Sequence, residues 1–329
     1  MRSRFKILIT APFYENYLEK LREVAEVRYK NWIDNKSPYS DQEIVNMGED
    51  IDILVVETEK INDVVINKLK NLKLVCCTRG TPVNIDLKVL KEKNIPLVTT
   101  PGRNATSVAE LTIGFIIMGL RHINESNNYM AEKRWVPENK LLPYIIYKSE
   151  PFKNIVVGII GYGNIGKEVA RILKVFNFNI LVYDPYVKEN LEKENINKVD
   201  LDYLIRSSDV ITIHCPMNAE TKNLIRYSDF LKMKRTAILI NTARAAIVNQ
   251  MDLKKALKSK LIKAAYLDVY EKEPLEHNDD FYLMQNVYTT PHIGGTSKMV
   301  IELQSKMIYE DIMNYINRSK LKNEFAVND

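Results

Sequence analysis

The sequence predicts an α/β protein of two doubly wound units, each a parallel sheet with helices between its strands. Three observations carry this. Short branched runs alternate with helical patterns twice, once before residue 105 and again from Ile155. The 329 residues amount to about two typical domains. With 46% apolar and 27% charged residues, the chain can bury two cores.

In the first half, Lys6–Thr10, Ile53–Val56, Leu74–Cys77 and Leu97–Thr99 read as strands, being short, rich in branched residues and closed by polar or Pro/Gly signals. Tyr14–Val24, Ser40–Asn46, Asp63–Lys68 and Asp86–Glu92 read as the helices between them. Ala105 to about Tyr129 predicts one long helix, with Thr106 or Ser107 near its start. Trp135 to Phe152 is irregular and contains three prolines, which suits a boundary or an arm.

From Ile155 the alternation restarts. Ile155–Ile160, Ile180–Tyr183, Val210–His214, Ala237–Asn241, Ala264–Asp268 and Val287–Thr289 predict six strands, the size of a complete dinucleotide-binding domain. After Gly294–Gly295, Lys298 to about Lys320 is helical and no strand follows it. Such a helix can return to the first unit. The expected division is therefore 1–105 with 297–329, and 106–296, with an arm around 125–150.

Composition narrows the partners. Lys plus Arg number 47 and Asp plus Glu 42, a surplus of +5 too mild to indicate nucleic acid or a polybasic membrane contact. Three cysteines, Cys76, Cys77 and Cys215, do not make a disulfide framework, and reduced thiols in a cytoplasmic protein are the simpler expectation. The apolar run near the N-terminus is too short for a signal peptide, and the Leu111–Leu120 run carries two glycines and suits a buried helix. No membrane span and no metal site is expected.

Ile155–Ile160 leads directly into Gly161-Tyr-Gly163-Asn164-Ile165-Gly166 and a helical pattern, and Asp184 lies 18 residues past Gly166 at the end of the next strand. A bare G-x-G-x-x-G is weak, but between a strand and a helix, with an acid at this distance, it marks a Rossmann-like nucleotide site. Gly161 permits the tight turn, Gly163 admits the pyrophosphate to the helix N-terminus, and Gly166 lets the helix pack closely. Asp184 can accept from both ribose hydroxyls and would repel a 2′-phosphate; Pro185 and Tyr186 follow it, not arginine. NAD is expected and NADP disfavoured.

A nicotinamide needs a proton partner and a group that holds the substrate. His122 reads as a boundary residue, His277 sits in a polar loop with nothing to position it, and His214 closes a strand and reads as structural. His292, in Thr290-Pro-His-Ile-Gly-Gly295, lies just past the last strand, at the edge where reactive groups of an open α/β sheet collect. Arg244 follows the Ala237–Asn241 strand and Glu273 follows the Ala264–Asp268 strand, so all three emerge from one edge. A guanidinium can hold a carboxylate and polarise a carbonyl, and a carboxylate beside an imidazole stabilises its charged form. Taken singly, each is an ordinary surface charge; the shared edge sets them apart.

These runs, together with His214-Cys215-Pro216, Asn241-Thr242-Ala243-Arg244, Asp268 through Glu273-Pro274, Asn84-Ile-Asp86 and Thr100-Pro-Gly-Arg-Asn104 through Val108-Ala-Glu110, resemble the NAD-dependent D-2-hydroxyacid dehydrogenases. That family includes phosphoglycerate, glyoxylate/hydroxypyruvate and D-lactate dehydrogenases, and the resemblance covers nearly the whole chain. It implies two Rossmann-like lobes with a cleft between them and a discontinuous substrate lobe. It implies catalysis by Arg244, Glu273 and His292 on a small 2-keto or (R)-2-hydroxy acid, in a homodimer. It implies a cofactor held by Gly161, Gly163, Asn164, Ile165, Gly166, Asp184, Cys215, Pro216, Thr242, Ala243, Asp268, Gly294, Gly295 and Val108, with Asp268 on the nicotinamide carboxamide. It implies that Arg79, Gly80 and Thr81 face the substrate together with Arg244 and His292.

The sequence departs from the family in carrying Ala245-Ala246 where glycine is usual, and in a shorter stretch at 78–84. Arg79 and Arg103 can add positive charge near the pocket, which would suit a phosphorylated or dicarboxylic substrate such as 3-phosphoglycerate. A corepressor-like NAD(H) sensor on the same fold is the alternative from another class. An NAD-dependent hydrolase or amino-acid dehydrogenase ranks last, for want of a lysine in the expected loops.

Overall fold

The computed structural model describes residues 4–188, 191 and 196–326. The chain divides into two units: one runs up to Arg103 and resumes at Ser297, and the other is Asn104–Thr296.

In the first unit five parallel strands lie in the order β2-β1-β3-β4-β5, namely β1 (Lys6–Ile9), β2 (Glu26–Tyr29), β3 (Ile53–Val56), β4 (Leu74–Cys77) and β5 (Leu97–Val98). β3 and β4 are buried along their whole length and read as continuous apolar runs, as strands covered on both faces must. β2 was not expected. Its Glu-Val-Arg-Tyr sequence has no buried residue, and it holds its place as an edge strand in register with β1. Helix Lys298–Ile316 places Ile308 and Ile312 in the core with Ile7, Ile9, Leu18 and Leu21. Beyond it, Glu324 forms a single antiparallel bridge to Val98.

Among its described residues the second unit carries seven parallel strands, not six: β6 (Val156–Ile160), β7 (Asn179–Tyr183), β8 (Ile196–Lys198), β9 (Val210–Ile213), β10 (Ile238–Asn241), β11 (Ala264–Leu267) and β12 (Val287–Thr289). Three-residue β8 is the extra edge, too short to show a pattern. The order β12-β11-β10-β9-β6-β7-β8 reverses beside β6, which opens a crevice at the strands' C-terminal ends. Both faces are covered. Val157, Ile159 and Val182 pack with Phe115 and Ile116 on one side, and Ile160, Ile211 and Leu239 pack with Phe230 on the other.

The long helix expected from Ala105 is two, Ala105–Leu120 and Ile123–Ala131, bent by 62°. His122 adopts φ 53 at the break, and Lys263 Nζ donates to the Gly119 carbonyl (3.0 Å), satisfying an acceptor that the next helical turn would have used. Among the described residues no single helix is long and apolar enough to cross a membrane.

Candidate active site

β6 delivers the chain to Gly161, whose φ of +94 only glycine adopts without strain, and a Cβ there would collide with the backbone of Cys215. A Cβ on Gly166 would strike the Gly161 carbonyl, so helix Asn164–Val175 abuts the turn. Around Gly163, by contrast, a Cβ would meet nothing within 4 Å. That opening at the helix N-terminus is the cradle a pyrophosphate requires, and Asn164 and Ile165 begin the helix beside it. Asp184 stands across the turn. Its Oδ2 accepts the Tyr162 N–H (2.7 Å) and its Oδ1 the Tyr186 N–H (2.8 Å). Each oxygen keeps a second lone pair, so the carboxylate can still receive two ribose hydroxyls. On these grounds the residues fit a dinucleotide.

Cys215 and Pro216 leave β9 against this turn. Burial pushes the Cys215 thiol up to about 11. His214, just before it, is buried, with Nε2 bonded to Thr212 Oγ1 (2.9 Å) and Nδ1 without a partner among the described residues; burial pushes it down to about 3. It stays neutral near pH 7, as a structural histidine would.

β10, β11 and β12 are parallel neighbours, so the segments leaving them share an edge. Past β10, Asn241 accepts the Ala243 N–H (3.0 Å) and donates to the Arg244 carbonyl (3.0 Å), and Thr242 bonds Thr112 (3.1 Å). This locks the turn that carries exposed Arg244, whose Nη1 donates to the Ala243 carbonyl (2.6 Å). Ala245 opens a short 3-10 turn, and neither it nor Ala246 has positive φ, so glycine is not needed there.

Past β11 comes Asp268, which is 1% exposed. It accepts the Thr290 hydroxyl (2.6 Å) and the Ile293 N–H (2.8 Å) on Oδ1, and the Gly294 N–H (2.8 Å) on Oδ2. Three of about four acceptor positions thus pin the segment after β12, leaving one for an outside amide. Within that segment His292 sits at φ 53, and its Nδ1 lies 2.7 Å from Glu273 Oε2. Glu273 Oε1 accepts the Tyr270 N–H (3.0 Å), and the Tyr270 hydroxyl is held by the Leu267 and Thr290 carbonyls. Gly294 lies close to Val108, and Gly295 close to Asn104. Thr290, Tyr270 and Thr112 were missed by reading the sequence. Thr290 immediately precedes Pro291-His292, and that adjacency was the available signal.

In the first unit, Arg79, Gly80 and Thr81 form the turn after β4. Arg79 is half-buried and its side chain has no hydrogen bond or ion pair among the described residues. The Gly80 and Thr81 N–H groups are likewise unengaged there, which leaves a small anion-sized set of donors. Arg103 is different. Its Nη2 lies 2.8 Å from Glu57 Oε1, its Nη1 bonds Gln304, and both members of the ion pair are mostly buried. The expectation that Arg103 adds free positive charge is therefore overturned: Glu57 neutralises it.

Residues 113–294 match the family described as "D-isomer specific 2-hydroxyacid dehydrogenase, NAD binding domain". The chain is 34% identical over 295 residues to the putative 2-hydroxyacid dehydrogenase YoaD of Bacillus subtilis, covering 88% of this chain and 85% of that one. It is 34% identical over 327 residues to the D-3-phosphoglycerate dehydrogenase of Archaeoglobus fulgidus, covering 98% of this chain and 59% of that longer protein. The NAD-complexed D-isomer specific 2-hydroxyacid dehydrogenase of Lactobacillus delbrueckii ssp. bulgaricus shares the fold, with a TM-score of 0.82 at 23% identity over 98% of this chain and all of that one. The protein belongs to the D-isomer specific 2-hydroxyacid dehydrogenases, a family of NAD-binding oxidoreductases.

Proposed function

We propose that the protein interconverts a small, unphosphorylated 2-keto acid and its (R)-2-hydroxy acid with NAD(H), using His292 and Glu273 as an acid/base pair and Arg244 to orient the substrate. The observation that carries this reading is the 2.7 Å approach of His292 to Glu273, on the sheet edge that also bears Arg244 and the glycine turn. When bound, NAD(H) supplies or accepts the hydride.

His292 engages Glu273 through Nδ1, which leaves Nε2 to serve a substrate oxygen. It gives a proton there during reduction and takes one during oxidation. Glu273 orients the ring and stabilises the imidazolium. The Arg244 fork can hold a carboxylate by two parallel bonds and polarise the neighbouring carbonyl. Asp268 holds the His292 segment and keeps one acceptor position for the carboxamide. Asp184 favours NAD over NADP, because its charge opposes a 2′-phosphate.

With Arg103 neutralised, Arg79 is the one remaining arginine of the pair that suggested a phosphorylated substrate, so that suggestion loses half its support. The exposed apolar residues Trp135, Leu141, Tyr144 and Ile145 support a homodimer through the 125–150 arm. Light scattering of Tyr144→Glu against wild type tests this, with a shift toward monomer expected.

NADH consumption against glyoxylate, hydroxypyruvate, pyruvate, phenylpyruvate and 3-phosphohydroxypyruvate tests the activity. Turnover is expected with one of the unphosphorylated acids. A phosphorylated winner would refute the substrate assignment, and silence with NADH still bound would favour the sensor.

A further inference from the structure

The segments leaving β7 and β9 flank the C-terminal end of β6, since those strands lie on either side of it. In a nucleotide-binding sheet of this order, that is where the adenosine half lies. Among the described residues, one hydrogen bond joins the two segments: the Tyr186 hydroxyl donates to the Glu220 carboxylate.

Both ends of this bridge are anchored. On the β7 side, Asp184 accepts the Tyr186 N–H (2.8 Å) and the Tyr162 N–H of the glycine turn (2.7 Å). On the β9 side, Asn218 Oδ1 accepts the N–H groups of Glu220 and Thr221 (2.9 Å each), and the Thr221 hydroxyl donates to the Pro216 carbonyl (2.6 Å). The same segment begins at Cys215, whose backbone abuts Gly161. Tyr186 itself is 69% exposed, so core packing does not account for its position. A phenol is protonated at neutral pH, and the neighbouring carboxylate raises it further, so the hydroxyl is the donor of this bridge.

We propose that Tyr186 and Glu220 form a strap across the adenosine end of the nucleotide groove, and that Glu220 is a second carboxylate, beside Asp184, selecting a free 2′-hydroxyl over a 2′-phosphate. This rests on the NAD reading above. A phosphate monoester carries about −1.5 to −2 charge at neutral pH, and a carboxylate lining the same groove repels it with a strength that falls as salt screens the pair, over about 8 Å at physiological ionic strength.

Fluorescence titration of the full chain with NADH and with NADPH tests the strap by dissociation constants alone. Glu220→Gln keeps an acceptor for the Tyr186 hydroxyl and removes the charge. NADPH should then bind about three- to tenfold tighter relative to NADH, and this gain should shrink as salt is raised. Tyr186→Phe releases Glu220 and should shift the ratio the same way by less. A Glu220→Gln ratio equal to wild type overturns the proposal. If that occurs while wild type binds NADH in preference to NADPH, the strap alone fails; if wild type binds neither nucleotide, the NAD reading fails with it.

Discussion

Arg103 lies against Glu57, Nη2 to Oε1 at 2.8 Å, across 46 residues of sequence, and both side chains are mostly buried. Glu57 also accepts from the Trp32 indole (3.1 Å), and Gln304, which meets the other side of the guanidinium, donates to the Pro12 carbonyl (2.7 Å). An arginine that composition offers to an anionic substrate is here part of the interior of its own unit. Removing one member of a buried ion pair strands the other charge. Arg103→Ala should therefore cost about 3 kcal/mol of stability. Glu57→Gln added to it should recover part of that loss, as read by urea denaturation of the two variants. Arg79→Ala should leave stability within about 0.5 kcal/mol and raise KM for the keto acid; a large stability loss would show that Arg79, too, is structural.

The His292–Glu273 pair predicts a split between chemistry and binding. His292→Ala should lower kcat by about 10² to 10⁴ while the NADH dissociation constant changes little, because proton transfer supplies rate and not nucleotide affinity. Wild-type turnover in this variant would remove His292 from the mechanism. Glu273→Gln keeps a partner for the ring but loses the charge, and should lower kcat by a smaller factor.

Asp184 receives two backbone N–H groups and retains capacity for two hydroxyls. Asp184→Ala should weaken NADH binding and narrow the preference over NADPH, measured by titrating both nucleotides. An unchanged preference would place the ribose elsewhere.

His214 couples stability to pH. Burial holds its folded pKa at about 3, well below the value of about 6.5 in an unfolded chain. Between those two values the unfolded state binds the extra proton, so acid favours unfolding. His214 should contribute a loss of about 1.4 kcal/mol per pH unit as pH falls from 6.5 toward 3. The difference in unfolding free energy between wild type and His214→Gln, followed over this range, isolates that contribution; a flat difference would contradict it.

Much of the second unit was legible because its signals are local. The strand–glycine turn–helix run at Gly161–Gly166 and the acid at Asp184 are set by backbone requirements within a few residues. The common edge of Arg244, Glu273 and His292 follows from parallel strands that each end just before them. The edge strands β2 and β8 were invisible for the opposite reason. Glu26–Tyr29 has no buried residue and Ile196–Lys198 only one, and pairing with a neighbour, not composition, makes them strands.

The sheet-and-helix alternation, the nucleotide turn and the kinds of side chain at the sheet's edge are already written in the order of residues, since they depend on spacing along the chain. The folded chain alone reveals that Arg103 belongs to Glu57, that the helix from Ala105 breaks at His122 where Lys263 takes the Gly119 carbonyl, and that Tyr186 reaches Glu220. Each of these joins residues 34 to 144 positions apart. Such partners are selected by packing and by the need to satisfy buried charges and carbonyls, conditions that exist only once the chain has folded.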